Sequence, residues 1–362
     1  MTRAIPTTRP LRRSLWLPAL LVLAGFVAGG RSAAAIDLIL PTSNDALFRG
    51  EDSVFYMPTA ARRDEAWNSG KFGFVRNPRS TREGTIHLRH HAGIDIRPLY
   101  RDRQGRPLDS VMSVADGIVV YTNDTSGHSN YGRYVVVEHV WDGSRYYSLY
   151  AHLDEIWVDS GAIVEQGALL GRLGYTGDGI NRERAHLHFE INLLLHERFD
   201  EWFPVGFRGE VNRHGSFNGL NLMAIDVGRL YLALRENPSL SIAEFVAGEI
   251  PFYTVTVPRG TVIDMARRYP WLVTAEPGEE HRSWTIYFAQ HGLPLKIEPS
   301  LEVVERPRPF VIQISKLPYG WLTKSILAGH GENYSLSRQG ERLIELMTAQ
   351  PDLRAETGLK GR

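Results

Sequence analysis

Ala185-His186-Leu187-His188-Phe189-Glu190-Ile191-Asn192 is the stretch whose reading decides the fold. Its alternation is strict. Residues 186, 188, 190 and 192 are polar or ionisable, and residues 187, 189 and 191 are apolar. A period of two predicts a β-strand with one face on a core and one row of ionisable groups facing a cleft. Two imidazoles on one strand face repel if both are protonated. A metal, or separate roles for the two rings, removes that conflict.

Working outward, short β-branched and aromatic runs alternate with turn residues. Gly117-Ile118-Val119-Val120-Tyr121, Tyr134-Val135-Val136-Val137-Glu138 and Tyr146-Tyr147-Ser148-Leu149-Tyr150 read as strands. Asp142-Gly143 and Thr176-Gly177-Asp178-Gly179 read as turns between them. Such punctuation predicts an antiparallel β-domain. From about Ile225 the character changes. Val227 to Arg235 and Gln339 to Thr348 carry helical periodicity, and Ser283 to Phe288 and Phe310 to Ile314 read as strands. The expected organisation is an N-terminal segment over residues 1–35, a β-domain over 36–224 with its core at 69–192, a small α/β accessory domain over 225–352, and a tail over 353–362.

Two more segments bring candidates for chemistry. In His91-Ala92-Gly93-Ile94-Asp95, an extended chain would point His91 and Asp95 the same way, with Gly93 between them presenting no side chain to obstruct an ion. Imidazole and carboxylate both suit Zn²⁺. His152 closes the aromatic run at Tyr150-Ala151-His152-Leu153. Each piece alone has an ordinary structural explanation. Glu190 reads equally as a partner that orients an imidazole or as a solvent-facing carboxylate. His90, beside His91, should face the opposite way, and His139 on its valine-rich strand reads as structural.

Taken together and in order, His91-x-x-x-Asp95, Tyr150-Ala151-His152-Leu153 and His186-x-His188 resemble the lysostaphin and LytM-like family of zinc peptidoglycan endopeptidases. The glycine-rich turns at Gly161 to Gly167 and Leu170 to Gly177 support the likeness, which covers roughly Ser69 to Asn192. The resemblance implies an antiparallel β catalytic domain with a zinc cleft and one Zn²⁺ per chain. It makes His91, Asp95 and His188 the metal ligands, and His152 and His186 the catalytic histidines. The implied activity is hydrolysis of the peptide cross-links in peptidoglycan stems, with a D-alanyl–diaminopimelyl bond favoured over a glycyl–glycine bond. A non-enzymatic LytM-like regulator of a cell-wall amidase is the alternative. Such regulators typically lack ligands or catalytic histidines, and all five positions are intact here. The sequence departs from the family at Asp178 to Ala185, which is longer and more charged than the usual turn, and at the polar stretch Tyr100 to Asp109.

Composition limits the remaining possibilities. The 362 residues are 43% hydrophobic and 23% charged, which suits a globular core. There are 41 basic and 41 acidic residues. Arg3, Arg9, Arg12, Arg13 and Arg31 lie in the first 35 residues; removing these five leaves 36 basic against 41 acidic, a net charge of −5. An acidic chain has no electrostatic reason to bind nucleic acid. The arginines followed by the apolar run Leu15 to Ala28 and by Ala33-Ala34-Ala35 predict a cleaved secretory signal, hence export, with the periplasm as first expectation and no stable membrane insertion afterwards. Pro18, Gly25 and the short run weigh against an uncleaved anchor. With no cysteine, there are no disulfides and no thiolate metal sites.

Overall fold

The computed structural model describes Met1 and residues 36–58 and 66–348. Contacts divide the chain into Met1–Ser32 and Ala33–Arg362. The expected signal, beyond Met1, and the expected tail lie outside the described residues. No helix among the described residues is long and apolar enough to cross a membrane.

The architecture of the second unit is mostly antiparallel β, as the runs of short strands predict. A hairpin, β1 (Gly73–Thr81) and β2 (Gly84–His91), forms a two-stranded sheet of its own. The main sheet has nine strands: β3 (Ile94–Ile96), β4 (Ser110–Met112), β5 (Gly117–Asn123), β6 (Arg133–Trp141), β7 (Ser144–Ile156), β8 (Ile163–Val164), β9 (Leu169–Leu173), β10 (Leu187–Leu194) and β11 (Leu222–Ala224). Its path runs β11-β10-β7-β6-β5-β8, with β3 also on β10 and with β9 joining β4 to β7.

The expected alternation in β10 partitions the two faces. Leu187, Phe189, Ile191 and Leu193 are fully buried in the main core. Each such side chain contributes roughly 1.5–3 kcal/mol of transfer free energy. The other face is not the open one that the pattern suggests. That face carries a second apolar cluster, including Tyr134, Tyr147, Leu149 and Ala151 of β6 and β7 with Tyr131 and Phe217 packed against it, and His188, Glu190 and Asn192 are buried too. Periodicity separates the faces of a strand but does not report what covers them.

The strand expected across residues 91–95 is broken. β2 ends at His91, the chain bends at Ala92-Gly93, and Asp95 belongs to β3. The bend leaves no room for a side chain at Gly93. A Cβ on Gly93 would lie 2.4 Å from the Phe189 carbonyl oxygen and 2.8 Å from Glu190 Cγ.

Beyond residue 225, the expected helices occur as Val227–Glu236, with the Asp226 carboxylate capping Arg229 N–H at 3.0 Å, and Arg338–Met347, capped by Ser337. A four-stranded sheet contains β12 (Tyr253–Pro258), β13 (Ser283–Phe288), β14 (Pro294–Ser300) and β15 (Arg308–Val311). The last strand lies earlier than expected, because the Ile312 and Gln313 N–H groups both turn to the Phe252 carbonyl. Bonds cross position 225. Leu194 N–H donates to Tyr269 Oη at 2.7 Å, and Tyr231 Oη donates to the Ile39 carbonyl at 2.7 Å.

Candidate metal centre

Strand pairing assembles the site. In the ladder, His188 of β10 sits opposite Asp95 of β3 on one side and opposite Ala151 of β7 on the other. The next residue after Ala151 is His152. Tyr134 pairs with Ala151 and Arg133 with Leu153, so His152 is the extra residue of a bulge, and its φ is +64°. That left-handed backbone costs energy in a non-glycine residue, and bulges re-aim side chains. Here the bulge brings the imidazole to within 4.8 Å of the His186 ring and 5.7 Å of the His188 ring, centroid to centroid. His186 lies just before β10, which starts at Leu187.

His91, Asp95 and His188 each offer one ligand atom, and the three atoms lie within 4.8 Å of one another. His91 Nε2, His188 Nδ1 and Asp95 Oδ1 are 3.0 Å apart on each side of a triangle. Tetrahedral zinc ligands at about 2.0–2.1 Å from the ion are separated by about 3.3 Å, close to this spacing.

The outer hydrogen bonds fix which atoms carry lone pairs. His91 Nδ1 donates to the Lys71 carbonyl at 2.8 Å, so its Nε2 is a lone pair. His188 Nε2 donates to Glu190 Oε1 at 2.7 Å, so in the neutral ring Nδ1 carries the lone pair. With Asp95 Oδ1, three acceptors converge on one point. A cation satisfies all three, and the carbonyl and carboxylate behind the rings are the usual partners of metal-binding histidines. The residues therefore fit a zinc ion. The second Asp95 oxygen, Oδ2, is paired with Arg76.

His152 and His186 share a different arrangement. Their Nδ1 atoms donate to the carbonyls of Thr176, at 2.8 Å, and Arg184, at 2.7 Å. In His152 this leaves Nε2 as a base. His186 Nε2 is 3.4 Å from Asp95 Oδ1. Burial pushes the His152 pKa well below the ordinary imidazole value, with His186 and His188 adding to the effect, so the ring is neutral. Burial also lowers His91, to about 4. In His188, burial opposes protonation, but hydrogen bonds to Asp95 and Glu190 outweigh it and raise the pKa.

Residues 89–199 match the family model described as peptidase family M23, and that span contains His91, Asp95, His152, His186 and His188. The chain carries a peptidase family M23 domain. Over 70 residues, 19% of this chain, the sequence is 41% identical to an uncharacterized protein of Neisseria meningitidis serogroup B; the match spans 11% of that relative's length. Among solved structures, a zinc containing peptidase from Vibrio cholerae is 29% identical, with 38% of this chain and 36% of that chain covered and a TM-score of 0.25. The catalytic domain of lysostaphin from Staphylococcus simulans is 21% identical, with 36% and 86% covered and a TM-score of 0.24. Superpositions that loose carry no functional weight.

Several residues of the M23 domain's site escape a reading of the sequence. Glu190 is not solvent-facing: it is 1% exposed and accepts from His188, from Tyr131 Oη at 3.0 Å and, through Oε2, from Asn192 Nδ2 at 2.9 Å. Arg76 and the Lys71 carbonyl lie before the matched span. Nothing in their spacing ties them to Asp95 and His91. His90, on the far face of β2 from His91, stacks on His291 with centroids 4.6 Å apart, and His139 bonds to the Asp116 carbonyl and Ser148, each at 2.7 Å.

Proposed function

We propose that this protein is a zinc-dependent endopeptidase that hydrolyses peptide cross-links of peptidoglycan, with His91, Asp95 and His188 as zinc ligands and His152 and His186 as catalytic histidines. The observation that carries the proposal is the convergence of three ligand atoms 3.0 Å apart, flanked by the His152 and His186 imidazoles, each held through Nδ1 by a backbone carbonyl.

When bound there, zinc supplies Lewis acidity and lowers the pKa of water toward neutral. The chain's own part is proton handling. The imidazole of His152 or His186 takes the proton from the attacking water at Nε2. It then returns that proton to the leaving amine as the C–N bond breaks. The Thr176 and Arg184 carbonyls orient the two rings through Nδ1. The proposed bond is D-alanyl to diaminopimelyl, in keeping with a basic, apolar N-terminus that suits export to a periplasm. Intact ligands and intact catalytic histidines favour an enzyme over a non-enzymatic regulator of an amidase.

Purified protein should hold about one zinc per chain and solubilise purified sacculi. His186→Ala should keep its zinc and lose about 10²–10⁴-fold in turnover. His188→Ala should lose both. Full hydrolysis of sacculi by metal-stripped protein in chelator, or equal zinc loss in the two variants, would overturn the assignment.

A further inference from the structure

The two segments in which the sequence departs from the family, Tyr100 to Asp109 and Asp178 to Ala185, meet at one side chain. The first segment is braced on itself. The Asp109 carboxylate accepts the N–H groups of Leu99, at 2.8 Å, and Tyr100, at 3.0 Å, and Leu108 N–H donates to the Tyr100 carbonyl at 3.0 Å. Further along, Asp102 Oδ1 accepts the Gln104 and Arg106 N–H groups, each at 2.8 Å, and Oδ2 accepts Arg106 Nε at 2.7 Å. Leu173 of β9 ties the segment to the main sheet, its N–H donating to the Asp109 carbonyl at 3.0 Å. Arg101 therefore stands on a platform fixed to the sheet.

The second segment closes in a single 3₁₀ turn, Arg182–Arg184, started by Asn181, whose Oδ1 accepts Arg184 N–H at 3.1 Å. A helical turn leaves its last carbonyls without partners inside the turn, and an arginine can take them up. Arg101 does so. Its Nη1 donates to the Arg182 carbonyl at 2.8 Å, and its Nη2 donates to the Glu183 carbonyl at 3.4 Å and the Ala185 carbonyl at 3.5 Å. Nη1 also holds the Gly105 carbonyl of its own segment at 2.8 Å. Of the four carbonyls at 182 to 185, three thus go to Arg101. The fourth, that of Arg184, accepts the His186 Nδ1–H at 2.7 Å. One guanidinium fixes the peptide groups on both sides of the one that orients this imidazole. His152 is held separately: its partner carbonyl belongs to Thr176, whose hydroxyl donates to the Leu153 carbonyl at 2.8 Å.

We propose that Arg101 is a positioning residue for His186. Its fork holds the 182–185 turn so that the Arg184 carbonyl meets Nδ1, which keeps the opposite nitrogen, Nε2, facing the metal triangle, 3.4 Å from Asp95 Oδ1. A lysine cannot do the same, because a single nitrogen lacks the fork that spans carbonyls on both sides of Arg184. The two departures from the family are then one device: the longer turn before the His-x-His strand is held from outside by the polar stretch. The inference rests on the peptidase reading above for the role of His186, and it adds a residue that none of the three motifs contains.

The test uses the full chain, zinc-loaded and with nitrogen-labelled histidine. The ring N–H signals of His152 and His186 are assigned by their loss in His152→Ala and His186→Ala. Their exchange with water is measured by NMR, and kcat and KM are measured on a cross-linked muropeptide. Arg101→Gln should speed exchange of the His186 Nδ1 proton by about tenfold or more, as expected when a charge-assisted hydrogen bond is lost, and leave His152 unchanged. It should lower kcat by about 10–100-fold with little change in KM. Arg101→Lys should recover part of both effects, and unchanged zinc content and melting temperature check the variants' folding. His186 exchange at the parent rate in Arg101→Gln, or equal loosening of both rings, would overturn the positioning role. No cleavage by the parent, with the Arg101-dependent protection of His186 retained, would sink the peptidase reading and leave the positioning role standing.

Discussion

Glu190→Gln isolates the contribution of the hydrogen bond behind a metal ligand. Glu190 receives three donors: His188 Nε2 and Tyr131 Oη on Oε1, and Asn192 Nδ2 on Oε2. Glutamine is isosteric but accepts on one atom only. If its oxygen faces His188, its NH₂ meets the Asn192 NH₂. If it flips, two donors face its NH₂. Either way at least one buried donor is orphaned, and the charge behind the His188 ring is gone. Losing a partner of this kind costs about 10–100-fold in metal affinity, or about 1.4–2.8 kcal/mol. A second effect has the opposite sign. Glu190 also helps raise the pKa of His188 in the metal-free protein, so at neutral pH a proton competes with zinc in the parent more than in the variant. The measured gap should therefore be small near neutral pH. It should open to its full size as the pH rises through the raised value of about 9. The assay is zinc affinity by competition with a chromophoric chelator, for parent and variant, across that range. A Kd within about twofold of the parent on the alkaline side, where the gap should be widest, would refute the orienting role of Glu190.

Two further outcomes follow from the packing. Gly93→Ala should destabilise the protein by about 1–3 kcal/mol and lower its zinc content, because the new methyl would meet the Phe189 carbonyl at 2.4 Å and His188 Cε1 at 3.0 Å; a normal melting temperature with full zinc would show that the bend has room. His139 is buried, and its pKa is pushed down to about 4, chiefly by burial. The unfolded chain takes up this proton near the ordinary imidazole value of about 6.5 and the folded chain near 4, so stability is intact above about 6.5 and falls as the pH drops toward 4, by about 3 kcal/mol in all. Urea midpoints across that window for parent and His139→Gln should show the slope shrinking in the variant, and identical slopes would exclude His139 as its source.

Much of the candidate site is legible in the sequence because strand chemistry is local. Alternation in 185–192 puts His188 and Glu190 on one face and Phe189 on the other whatever the rest of the chain does. The aromatic run before His152 is a strand on its own composition. The misreadings share a cause. His91 and Asp95 read as one strand, but the chain bends at Ala92-Gly93, where the β10 backbone lies too close for any side chain. The bulge at His152 arises from the register between β6 and β7, and register is a property of two strands together. Glu190 was left open because a carboxylate facing water and one facing Tyr131, fifty-nine residues away, look the same in one dimension.

By itself the sequence determined the mostly antiparallel β class, the residue types available to a metal and the order of the three segments that carry them, since these depend on period and side-chain chemistry. Only the tertiary structure decided that three ligand atoms meet 3.0 Å apart and which group stands behind each imidazole. Those are distances between segments far apart in the chain, fixed by strand pairing and by the carbonyls and carboxylates that packing brings behind each imidazole.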